Sequence, residues 1–206
     1  MAMDPGNATP TAADLVMAAQ GADSEEIAAQ ADAWLAHRAP DAAARELLEF
    51  AARCSPVERL VAITAVQRIG AAAEPRWREA LDVREVRPYA KIALAELTEL
   101  AELAARPGLA PEPDDVAWLV IDLLAAASQA LEPKDLATQF GQAVPKGTEE
   151  LMFGVMSRLP HPDAARVLTL IGKHHPDKKV AKQARRSAYQ ANSRLTSVRL
   201  FSRVAP

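Results

Sequence analysis

Apolar residues recur every three or four positions along most of the chain, and turn signals separate one such stretch from the next, so the sequence predicts helix after helix. Ala12–Gln20 is short and apolar. Ser24 is placed to cap a helix running to His37, with Ile27, Ala28, Ala31, Trp34 and Leu35 on its apolar face. Pro40–Arg53 puts Ala43, Leu47, Leu48 and Ala51 on one side. Ser55-Pro56 then opens a further helix, serine as N-cap and proline at the first helical position, where its missing N–H costs nothing. That helix carries Leu60, Ile63, Thr64, Val66 and Ile69, and Gly70 is a natural stop. Pro75–Leu81 predicts a short helix bearing Trp77, and Val86–Ala105 a long one with Tyr89, Ile92, Ala93, Leu97, Leu100 and Leu103 inward. Residues 106–113 hold three prolines and a glycine and break the pattern. Asp114–Ala130 is apolar on most of its faces, as expected of a central buried helix. Pro133–Val144, Thr148–Leu159, Pro162–His174 and Pro176–Asn192 complete the series.

Two segments are alike: PDAAARELLEFAARCSPVERLVAITAVQRIG from Pro40 and PDAARVLTLIGKHHPDKKVAKQARRSAYQAN from Pro162. Each reads as an apolar helix, a turn containing Pro56 or Pro176, and a second amphipathic helix. DVREVRPYAKIALAEL, residues 82–97, has the same character as PDKKVAKQARRSAY, residues 176–189. Both show an acidic or Pro-Asp turn, then Val, then Ala every three or four residues. On these residues, over about half its length, the chain resembles the HEAT-type α-α superhelix proteins. The resemblance implies an all-α, right-handed array of antiparallel helical hairpins, of about ten or eleven helices here. Residues 107–160 depart from the repeat pattern. The expected organisation is a disordered leader over 1–11, a helical-repeat subdomain over 12–105, the proline-rich break at 106–113, a second helical subdomain over 114–192 and a basic tail over 193–206.

Composition supports helices packed through small side chains. The chain has 206 residues, of which half are hydrophobic, yet 45 are alanine and only 4% are aromatic. Alanine is the best helix former and brings little core volume. Cys54 is the single cysteine, so no intrachain disulfide can form. There is no apolar run of the length a membrane span requires, and MAMDPGNATP lacks the charged and apolar regions of a secretory signal. A cytoplasmic protein with no membrane partner is the expectation.

The net charge of −3 conceals an asymmetry. Residues 166–206 hold ten Lys or Arg and one acid, a formal +9; residues 1–165 hold 14 basic and 26 acidic residues, a formal −12. Such a split predicts an interaction surface near one end, or self-association through oppositely charged ends. At about 100° per residue, Val180, Ala181, Ala184, Ala188 and Ala191 fall on one side of the helix predicted over 176–192, and Lys178, Lys179, Lys182, Arg185 and Arg186 on the other. These five, with Arg194, are the candidate contacts for a partner. Three occupants fit the stripe: solvent alone, an acidic protein or another region of the parent chain, or nucleic acid. Nucleic acid ranks behind protein because Tyr189 is the lone aromatic near the stripe and the chain as a whole is acidic.

No reaction chemistry stands out. His161 and His174 lie at opposite ends of one predicted helix, too far apart to share an ion. His174 and His37 sit where a histidine favours a helix C-terminus. Cys54 reads as a small structural residue despite its neighbour Arg53. Asp114 and Asp115 fit a helix start, while Asp122, Glu96, Glu99 and Glu102 read as solvated or capping carboxylates. Phosphate-loop, nucleophile-elbow and zincin motifs are missing. Of Trp34, Trp77 and Trp118, Trp77 lies between Arg76 and Arg78 and is the candidate exposed aromatic. The sequence reading is therefore a non-catalytic protein-interaction or scaffold module with no cofactor, no metal and no catalytic residues, nucleic-acid binding being the alternative.

Overall fold

The structure, a computed structural model, describes residues 10–98 and 107–202, and among them every regular element is helical. The chain divides into two compact units, Met1–Ala110 and Pro111–Pro206.

The N-terminal unit contains α1 (Ala12–Ala18), α2 (Ser24–Leu35), α3 (Pro40–Ala51), α4 (Pro56–Ile69), α5 (Glu74–Ala80) and α6 (Arg87–Leu97). Their starts are written locally. Thr11 with Asp14, Asp23 with Glu26 and Ser55 with Glu58 form reciprocal capping boxes on α1, α2 and α4. The cap of α2 is thus Asp23, one residue before the expected Ser24, because the carboxylate accepts from both Glu25 N–H and Glu26 N–H. Gly70 ends α4 at φ 67°, a conformation that costs a glycine little. The α3/α4 corner is held by buried Arg59, whose Nε donates to Ala51 O at 2.8 Å, satisfying a carbonyl at the end of α3. α6 stops at Leu97, short of the expected Ala105; Glu99 and Glu102 lie outside the described residues.

The expectation that Trp77 is exposed is wrong: it is 1% exposed and among the largest fully buried side chains. Its arginine neighbours in sequence lie to either side of it around the α5 helix. Arg76 grips Asp41 of α3 with two hydrogen bonds, 2.6 and 2.7 Å, and also pairs with Glu79. Arg78 pairs with Glu74. The two guanidiniums are therefore satisfied at the surface while the indole between them packs inward, with α5 lying on α3 and α6. The Arg76 hydrogen bonds hold the Asp41 carboxyl below the ordinary carboxylate range.

The C-terminal unit contains α7 (Pro113–Ala127), α8 (Pro133–Ala143), α9 (Glu149–Met156), α10 (Ala164–His174) and α11 (Lys178–Ser202). α7 packs on α9 and α9 on α11, while α8 packs on α10, so alternate helices fall into two layers. The core between them includes Ile121, Phe140, Phe153, Met156, Leu168 and Ile171. The Phe140 and Phe153 rings stack at 5.2 Å. α7 is less enclosed than its apolar pattern predicts: Val116 and Leu123 are exposed while Ile121 and Ala125 are buried. α11 runs on to Ser202 and does not fray at Asn192. No glycine or proline interrupts residues 173–202 except Pro176, which precedes the helix, so nothing local stops it.

α10 and α11 are joined by a short turn and touch almost backbone to backbone. A Cβ added to Gly172 of α10 would lie 3.0 Å from Arg185 N and 3.3 Å from Ala181 O. Ala181, Ala184, Ala188 and Ala191 continue the buried side of α11. Small residues on both helices make this approach possible, and it fixes the side of α11 that faces solvent.

Candidate functional site

Burying the alanine side of α11 turns its charged side outward. Lys178, Lys179, Lys182, Arg185, Arg186 and Arg194 are all exposed. Over Lys178–Ser202 the helix has seven bases and no acid. The first turn is capped by Asp177, whose carboxylate accepts from Lys179 N–H at 2.7 Å and Val180 N–H at 3.2 Å. Those backbone hydrogen bonds lower the Asp177 pKa.

The six bases are not equivalent. Arg185 donates from its guanidinium to Gly172 O at 2.5 Å, so it ties α11 to α10. Lys182, Arg186 and Arg194 form no ion pair among the described residues. α9 adds a further base. It runs parallel to α11, as Gln183 Nε2 donating to Glu150 (2.8 Å) and Ser157 Oγ donating to Gln190 (3.4 Å) show. The end of α9 thereby brings exposed Arg158 beside Tyr189, Gln190 and Arg194. Tyr189 is 75% exposed. It lines two open surface depressions, one with Lys182, Arg185, Arg186 and Gln190, the other with Arg158, Ser193 and Arg194 among its walls.

Most acids of this unit stand at helix starts, and two of them border the basic face: Glu150 accepts from Gln183 of α11, and Asp177 caps that helix. Glu112, Asp114 and Asp115 lie at the start of α7, Glu132 and Asp135 at that of α8, and Glu149 and Glu150 at that of α9. Asp163 is the N-cap of α10, and Asp177 precedes α11. Each meets the positive pole of a helix. The remaining acid, Asp122, is buried. Residues 111–206 carry 13 basic and ten acidic side chains, a formal +3, and residues 1–110 carry 11 basic and 17 acidic, a formal −6. The basic surface therefore belongs to a unit that is itself basic, although the chain is acidic.

Asp122 corrects the sequence reading, which took it for a solvated or capping carboxylate. Its carboxylate meets His161 Nε2 at 2.9 Å with both side chains fully enclosed. His161 Nδ1 accepts from Asp163 N–H at 3.0 Å, so Nε2 carries the ring proton and donates to Asp122. Trp118 packs edge-on against the imidazole at 4.5 Å. Both ring nitrogens are occupied, and the pair fastens the turn before α10 to the middle of α7. One signal was available: Asp122 interrupts the otherwise apolar run Trp118–Leu124. Its partner lies 39 residues away, beyond any local pattern. Arg158 likewise joins the basic face only through the packing of α9.

The other candidates stay apart from this face. Cys54 Sγ contacts Ala51 O at 3.6 Å near the α3/α4 corner. Trp34 Nε1 donates to the Pro10 and Thr11 carbonyls, and Arg38 stacks on its ring at 3.7 Å. Among the described residues no three His, Cys, Asp or Glu side chains converge as a metal site requires, and no helix is long and apolar enough to cross a membrane. Comparison with protein-family models, with curated proteins and with solved structures finds no match to this chain.

Proposed function

We propose that this protein is a non-catalytic binding module that docks an acidic macromolecular partner on the outer face of α11. One observation carries the reading: Lys182, Arg186 and Arg194, on a helix that carries no acid, and Arg158 from the end of α9 gather around an exposed Tyr189 without ion-pair partners among the described residues. Unpaired cations gathered on one rigid face raise the local concentration of an anionic partner and speed its encounter. The non-catalytic part of the reading is supported by how the reactive groups are spent. Asp122 and His161 hold each other, and the other acids of the C-terminal unit stand at helix starts.

A HEAT-like α-α superhelix is the architecture proposed with it. Support comes from the successive pairs α3/α4, α5/α6 and α10/α11, and from the alternate stacking of α7, α9 and α11. In such arrays each hairpin buries its face on its neighbours and leaves one helix surface for a partner.

Retention on immobilised heparin tests the docking face. Despite its formal charge of −3, the chain is expected to bind heparin at low salt. The variant K182E/R186E/R194E is expected to pass through unretained. All three positions are exposed, so circular dichroism should be unchanged. Equal elution of wild type and variant would sink the proposal.

A further inference from the structure

The geometry points to single-stranded nucleic acid as the partner of the α11 face, with Tyr189 stacking on one base and Lys182, Arg186, Arg158 and Arg194 meeting the phosphates around it. This inference rests on the reading of α11 as a docking face and narrows it to one class of ligand.

The exposed ring carries most of the weight. An aromatic side chain 75% open to water, with cations before and after it on its own helix and another from α9, offers a flat apolar surface within a positive field. Every base has a π-face, and stacking on an aromatic ring combined with a basic groove is how single strands are held without sequence preference. Lys182 and Arg186 precede Tyr189 by two turns and by one, so they line up along the helix with it. Arg158 and Arg194 border the depression on its other side. The cations thus form a track with the ring near its middle, which suits a chain of evenly spaced charges.

An acidic protein fits less well. A protein interface carries a desolvated apolar core inside its polar rim. From Lys178 to Arg194 the exposed positions of α11 are Lys, Arg, Gln, Asn and Ser apart from Tyr189, with no exposed aliphatic side chain among them. Duplex DNA fits less well too, because its base faces are already stacked and the ring would have nothing to cover.

The test uses the full chain and three fluorescent probes: an oligothymidylate of about 20 nucleotides, a DNA duplex of the same length, and a poly-glutamate peptide of comparable charge. Anisotropy titrations across a salt series are expected to show that the oligothymidylate binds most tightly. Four phosphate contacts correspond to a slope of log K against log salt of about −3. Tyr189→Ala is expected to lower affinity about tenfold, a single stacked base, while Tyr189→Phe keeps it. A duplex that binds as well as the single strand, or a Tyr189→Ala variant that binds as wild type does, would overturn the single-strand inference. Poly-glutamate binding tighter than either nucleic acid would overturn it as well, yet leave the docking face standing. No binding of any probe at low salt would overturn both.

Discussion

His161→Ala is expected to destabilise the C-terminal unit by about 3–5 kcal/mol, the range for truncating a large, fully buried side chain. The side chain does three things that alanine does not. It donates to Asp122 in a fully enclosed site, and a buried carboxylate stripped of a donor keeps the desolvation cost of its charge. It accepts from Asp163 N–H at the start of α10. It also fills the space against Trp118, so its removal leaves a cavity. Asp122→Asn should behave very differently. Because Nε2 is the donor, the asparagine carbonyl can take its hydrogen bond in the same place, and the expected loss is only about 1 kcal/mol. Urea unfolding of both variants checks the pair. A cost for Asp122→Asn as large as that for His161→Ala would mean that the site depends on the full carboxylate and not on one acceptor oxygen.

Gly172→Val is expected to cost about 2–3 kcal/mol and to weaken partner binding with it. A Cβ there already crowds Arg185 N and Ala181 O, both backbone atoms that can move only if α11 moves. Valine adds two methyls to that crowding, and its branched Cβ lowers helix propensity besides. Gly154 in α9 supplies the internal control, for nothing lies within 4 Å of a Cβ built on it. Gly154→Ala should stabilise the unit by about 0.5–1 kcal/mol through helix propensity alone. The opposite signs distinguish a glycine needed for close approach from one that is merely tolerated. Thermal denaturation of the two variants reads the signs directly; a neutral or stabilising Gly172→Val would show that α10 and α11 are less closely packed than described.

What the sequence revealed and what it hid follow the same physical line. Helix starts and stops are local events, so Ser55-Pro56 and Gly70 mark α4 from either direction. The outward position of Lys178 to Arg186 follows from one helical period and an alanine stripe. The errors arise where a residue's surroundings come from distant segments. Trp77 is buried because α5 packs on α3 and α6, while Arg76 beside it pairs at the surface with Asp41, more than thirty residues upstream. Asp122 is buried because His161 lies across from it once α10 has docked. Arg158 reaches Tyr189 only because α9 lies parallel to α11. The sequence therefore showed the charged face of α11 and not its full extent, which spans two helices.

Mapping the contact surface by nuclear magnetic resonance is the most direct test of the central claim that this face binds the partner. Amide shifts of the isotope-labelled chain would be followed during titration with a short heparin fragment. Perturbations are expected only at the end of α9 near Arg158 and on α11 from Lys178 to Arg194, and added salt should reverse them. Perturbations centred on the N-terminal unit, or spread evenly over exposed lysines and arginines, would contradict it.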